Sequence, residues 1–129
     1  MKKILLMIEL ILASIMLVSC ADVSNCNDNV GSSSLFNKKE MDTAINVAKD
    51  YFWKNYDGSI LNSIEYDDKL VISDQISLTK MYSVDYALIF TLWYYDSKDQ
   101  IDNDLQHKDF ILGSNENKYS WTVLDAGYY

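Results

Sequence analysis

The segment spanning residues 84–95, VDYALIFTLWYY, constrains the fold more than any other part of the chain. It holds aromatic and branched residues and neither Gly nor Pro, so it reads as the strongest strand of the sequence. With the period of two that a strand imposes, Val84, Tyr86, Leu88, Phe90, Leu92 and Tyr94 share one face. Ala87, Ile89, Trp93 and Tyr95 share the other. Both faces are apolar, so the fold must find cover for both.

The sequence offers one long helix to do so. Asn37 is a good N-cap, and Glu40 three residues later completes a capping-box pattern. Met41, Ala44, Ile45, Ala48 and Phe52 follow at helical spacing, with Tyr51 beside them, and form a core-facing stripe. Asp57-Gly58 stops the helix, because Gly adopts the left-handed conformation that such an end requires. Ile60, Ile64 and Tyr66 make a short strand closed by Asp67 and Asp68, and residues 73–82 read as at most one short helix. Phe110, Ile111 and Leu112 form another strand, GSNENK at 113–118 a hairpin loop, and residues 119–126 the last strand. The order gives an α+β class: a long helix packed on a curved antiparallel sheet of about four strands. One helix covers one side. The second face is either closed by sheet curvature and the 73–82 segment, or left as a concave apolar surface for a ligand or partner.

The amino terminus carries a separate signal. Lys2 and Lys3 precede an apolar run over residues 4–18. Fifteen residues fall short of the roughly 20 that a membrane-spanning helix needs, and match the central part of an export signal. Glu9 interrupts the run, where a carboxylate is costly to insert. Leu17, Val18, Ser19 and Cys20 then resemble the lipobox of bacterial lipoproteins, with Leu three before the cysteine and a small residue directly before it. The resemblance implies that the Cys20 sulfur takes up diacylglycerol and that cleavage leaves Cys20 first. A thiolate is the nucleophile this chemistry needs. Two acyl chains anchor stably where one is marginal. The expected organisation is a signal peptide at 1–19, a lipidated Cys20 with a flexible polar tether to residue 36, and one domain over 37–129. The tether reading comes from ADVSNCNDNVGSSS, residues 21–34, which has few bulky apolar side chains.

Charge excludes one class of function. Taking Lys2, Lys3 and Glu9 from the 11 Lys and 19 Asp plus Glu leaves nine against eighteen, a formal charge near −9. With no Arg, such a surface repels phosphate backbones and excludes a nucleic-acid partner. Absent Arg and Pro, beside abundant Lys, Asn, Ile and Tyr, match the codon bias of an AT-rich genome and point to a Firmicute source. There the lipid would hold the protein on the outer face of the cell membrane. With Cys20 lipidated, Cys26 is left as a single thiol, read as a tether residue that could at most pair between chains.

The capped helix ending in YFWKNYDG, the YDD after the first strand, the aromatic strand and a terminal W-x-V-x-D-x-G-Y (Trp121, Val123, Asp125, Gly127, Tyr128) resemble a group of small clostridial lipoproteins. The likeness covers roughly residues 38–129. It implies an NTF2-like, cystatin-like domain and carries over no catalytic residue. Ala126 stands where members often carry an aromatic.

Enzymes of that fold set a carboxylate base against a Tyr in an apolar pocket. The ingredients are Tyr66 with Asp67, Asp85 with Tyr86, Asp96 beside Tyr94 and Tyr95, and the lone His107. Most of these carboxylates sit at strand ends, where a solvated turn is the ordinary role, and His107 reads as a surface residue. Asp96, Asp99, Asp102 and Asp104 lack the order of a calcium loop. No metal or cofactor is therefore expected. The sequence favours a non-enzymatic, lipid-anchored binding or accessory domain over a small isomerase- or hydratase-like enzyme. Its candidate binding residues are Trp93, Tyr95, Trp121 and Tyr66, facing an apolar small ligand or a second copy of the domain.

Overall fold

Asn37 caps the first helix, α1 (Lys38–Asn55), in the reciprocal way its sequence calls for. Its side chain accepts from the Glu40 amide at 2.8 Å, and the Glu40 carboxylate accepts from the Asn37 amide at 2.9 Å. The expected stripe of Met41, Ala44, Ile45, Ala48 and Phe52 is buried. Each of its large side chains contributes roughly 1.5–3 kcal/mol by leaving water. The computed structural model describes residues 20–96 and 105–127.

Among the described residues the architecture is α+β, with two helices and one mixed sheet of five strands. The strands are β1 (Asn27–Asn29), β2 (Ile60–Tyr66), β3 (Tyr86–Tyr95), β4 (Gln106–Ser114) and β5 (Thr122–Gly127), in spatial order β1-β2-β3-β4-β5. From β2 onward every neighbour is antiparallel, while β1 runs parallel to β2. The second helix, α2 (Asp68–Tyr82), connects β2 to β3.

The sheet has five strands rather than about four, and the fifth comes from the segment read as a tether. Its ordering needs few apolar side chains, because the backbone does the pairing: Asn27 lies beside Ser63, Asp28 beside Ile64 and Asn29 beside Glu65. Ala21, Val30 and Phe36 are buried against the domain. The 73–82 segment is likewise the C-terminal part of a longer helix. Asp67, expected to close a strand, is the N-cap of α2 and accepts from the Leu70 amide at 3.2 Å.

The two helices divide the sheet between them. α1 lies on the face of Leu88, Phe90, Leu92 and Tyr94, with the Phe52 ring 5.5 Å from Tyr94 and the Tyr51 ring 5.4 Å from Phe110. α2 lies on the opposite face, over the first half of β3, and buries Val71 and Leu78 there. Gln75 fixes that docking. β2 ends opposite Phe90, so the edge of β3 before that point has no strand partner on that side. The Gln75 side chain takes the place of one: its Nε2 donates to the Ala87 carbonyl at 2.7 Å, and its Oε1 accepts from the Ala87 amide at 2.9 Å. Close approach is also built in at Gly113. A Cβ there would come 2.5 Å from Leu124 Cδ1 and 2.9 Å from Val84 Cγ1. α2 thus covers the start of β3, around Ala87.

Candidate functional site

A concavity lies against the first two turns of α1. Gly31, at φ 67°, turns the chain away from the end of β1, and residues 31–36 then fold back toward the helix start. The cleft between them has a volume of about 520 Å³. Its floor is apolar, made by Val30, Phe36, Met41 and Ile45, all buried. Its rim is polar, with Asp28 and Ser32 on the strand side and Lys38 and Asp42 on the helix. Lys38 pairs with Asp42 at 2.9 Å, one helical turn apart, and Lys49 pairs with Asp28 at 2.9 Å. An apolar floor inside a rim of paired charges suits an apolar group that carries one polar end. The Phe36 wall is stiffened by Trp121, whose ring meets it edge-on at 5.3 Å and whose indole N–H donates to the Lys118 carbonyl at 2.8 Å.

One wall of the cleft is held by a polar cluster. The Asp68 carboxylate accepts from Tyr66 at 2.9 Å and from the Ser33 hydroxyl at 2.8 Å on one oxygen. Its other oxygen accepts from the Ser34 amide at 3.0 Å and the Ser34 hydroxyl at 2.7 Å. Burial alone would raise the Asp68 carboxyl, but these donors from Ser34, Ser33 and Tyr66 outweigh it and hold it down at about 2. The Tyr66 hydroxyl is pushed well above its ordinary range, first by burial and then by the neighbouring acids. A base for isomerase-type chemistry needs the reverse, a carboxyl held up by an apolar pocket. This Tyr/Asp pair is instead a clasp that ties residues 33 and 34 to the start of α2. The partner of Tyr66 is Asp68, not the Asp67 beside it in sequence.

Cys26 sits near the same edge, half-buried, with its Sγ donating to Asp28 at 3.5 Å. Burial, reinforced by Asp28, pushes the thiol up to about 12. It is therefore protonated at neutral pH and unsuited to thiolate chemistry.

The four side chains expected to form a binding surface fall in three places. Trp121 lies against Phe36 on the α1 face, and Tyr66 belongs to the clasp. Trp93 and Tyr95 remain on the opposite face at the far end of β3. The neighbours of Trp93 there are polar: His107 stands directly across from it, ring centroids 4.7 Å apart, and Thr91 donates to Asp109 at 2.8 Å. The Trp93 indole N–H is buried and meets no hydrogen-bond acceptor among the described residues. Among the described residues, β5 pairs with β4 as far as Asp109. Sequence reasoning passed over the cleft, because Val30 and Phe36 lie in a segment whose composition reads as linker. Asp99, Asp102 and Asp104 lie outside the described residues, and among those described no group of three or more acids, His or Cys is placed to hold a metal. No helix among the described residues is long and apolar enough to cross a membrane. Compared with protein-family models, curated proteins and solved structures, the chain matches none.

Proposed function

We propose that this chain is an exported, lipid-anchored binding or accessory domain, held on the outer face of the cell membrane by diacylglycerol on Cys20. The order of Lys2-Lys3, the apolar run and Leu17–Val18–Ser19–Cys20 supports the anchoring. The reading of the domain as NTF2-like belongs to the same proposal, and α1 lying across one face of the antiparallel strands supports it.

Binding is favoured over catalysis by one observation: the Tyr66–Asp68 contact at the cleft is saturated by hydrogen bonds from the chain itself, and its carboxyl is held low. The cleft supplies what a binding site needs without it. The ligand class is a small apolar molecule with a polar or charged end. Chemical-shift mapping with 1-anilinonaphthalene-8-sulfonate as the probe tests this reading. It predicts saturable shifts at Val30, Met41 and Ile45. Shifts confined to Trp93 and His107, or none at all, would refute it. The enzyme reading returns if an Asp carboxyl is found by NMR titration to ionise above the ordinary range.

A second copy of the domain is the alternative partner. Ile76 and Met81 on α2 are 71% and 67% exposed, with Ile72 beside Ile76 one turn away. Sedimentation across a concentration series separates this from the small-ligand reading.

A further inference from the structure

Almost no chain separates the anchoring cysteine from the folded domain. Ala21 is 4% exposed, and its amide donates to the Trp53 carbonyl at 3.3 Å. Asp22 is held on both sides: its amide donates to the Ser59 carbonyl at 2.8 Å, and its carbonyl accepts from the Leu61 amide at 2.9 Å. This stretch runs parallel to β2, with Asp22 beside Ile60 and Asn29 beside Glu65. Cys20 therefore lies at the end of the sheet where β2 begins. The last turn of α1, the end of β3 at Tyr95 and the start of β4 share that end. Two large apolar side chains are open to solvent there, Trp53 at 40% and Leu105 at 38% exposed.

We propose that the domain rests directly on the bilayer through this end, with the Trp53 ring in the headgroup layer, instead of standing off the membrane on a tether. The proposal depends on the lipid reading of Cys20. One residue spans at most about 3.6 Å, so an acylated Cys20 brings Ala21 and the α1 end to the interface as long as Ala21 stays docked. Trp suits that depth, since its apolar body and its N–H match the boundary between hydrocarbon and water. Charge does not drive the contact. Lys54 at this end is paired with Asp50 at 2.9 Å, and Lys108 lies over the Tyr56 ring at 5.2 Å. The acyl chains and the exposed apolar side chains carry it.

The test uses the full lipidated protein, extracted from membranes and reconstituted in phosphatidylcholine vesicles that contain a lipid spin-labelled near the acyl carbonyl. Fluorescence of Trp53, Trp93 and Trp121 is read with and without the label. Quenching is expected in the wild type, retained in Trp93→Phe and mostly lost in Trp53→Phe, an exposed position that tolerates the change. A second variant inserts a Gly/Ser stretch of about 16 residues between Cys20 and Ala21, with a reach of roughly 20–24 Å, and should also lose quenching. Quenching that survives both changes overturns the proposal. So does its absence in wild-type protein whose intact mass shows the lipid, and that outcome leaves the anchoring standing. Protein that carries no lipid on Cys20 overturns the anchoring and this contact together.

Discussion

Replacing Gln75 by Met removes the amide that serves β3 as a substitute strand. Met has nearly the same length and helix propensity, so α2 itself should be undisturbed. Two hydrogen bonds disappear, at 2.7 Å and 2.9 Å, and both end on Ala87, which is fully shielded from water. Each bond contributes a net ~1 kcal/mol, and a buried backbone group left without a partner costs ~1–3 kcal/mol more. Partial relaxation of a half-buried helix residue lowers the sum, so the expected loss is about 2–4 kcal/mol. A domain of this size has roughly 5–15 kcal/mol in all. Urea unfolding followed by Trp fluorescence and far-UV circular dichroism should show a midpoint lower by roughly 1–2 M with an unchanged slope. Amide exchange at Ala87 should accelerate more than at Leu92, whose neighbours on both strands remain in place. A loss below about 0.5 kcal/mol, the range of an ordinary surface change, would mean that Gln75 is not what docks α2.

Other consequences follow from named contacts. Asp68 ionises at about 2 in the folded protein against an ordinary 3.8, so its clasp stabilises above pH 3.8 and is lost as pH falls toward 2. The urea midpoint of the wild type should therefore drop over that window, and Asp68→Asn should be less stable at pH 6 while losing less between pH 4 and 2. Cys26, with its thiol pushed up to about 12, should react with Ellman's reagent at pH 8 far more slowly than an exposed cysteine, and at the ordinary rate once the protein is unfolded in urea. Gly113→Ala puts a methyl group 2.5 Å from Leu124 Cδ1 and should cost about 1–3 kcal/mol, read as a lowered Tm.

The parts of the fold legible in the sequence are those where side-chain pattern and local chemistry coincide. The capping box at Asn37 and Glu40, the stripe of α1 and the alternation of β3 all have this property. β1 does not. Its side chains are exposed, and its place in the sheet comes from backbone pairing with β2, which leaves no mark on composition. α2 was partly hidden because Ile72, Ile76 and Met81 stay exposed while Val71 and Leu78 are buried, so no single apolar stripe stands out. The clasp joins Ser33 to Asp68 and the cleft sets Val30 beside Ile45, contacts between segments far apart in the chain. Nothing local announces either. One long helix cannot cover both faces of β3, which is why an open face around Trp93 is expected; α2, running from Asp68 to Tyr82, supplies more helix than the 73–82 segment alone.

The claim on which localisation and membrane contact both depend is the lipid on Cys20. Mass spectrometry of the N-terminal peptide from membrane-extracted protein measures it directly. The account predicts a peptide that begins at Cys20 and carries a diacylglyceryl group. A mature chain that retains Leu17 to Ser19, or an unmodified Cys20, would contradict it.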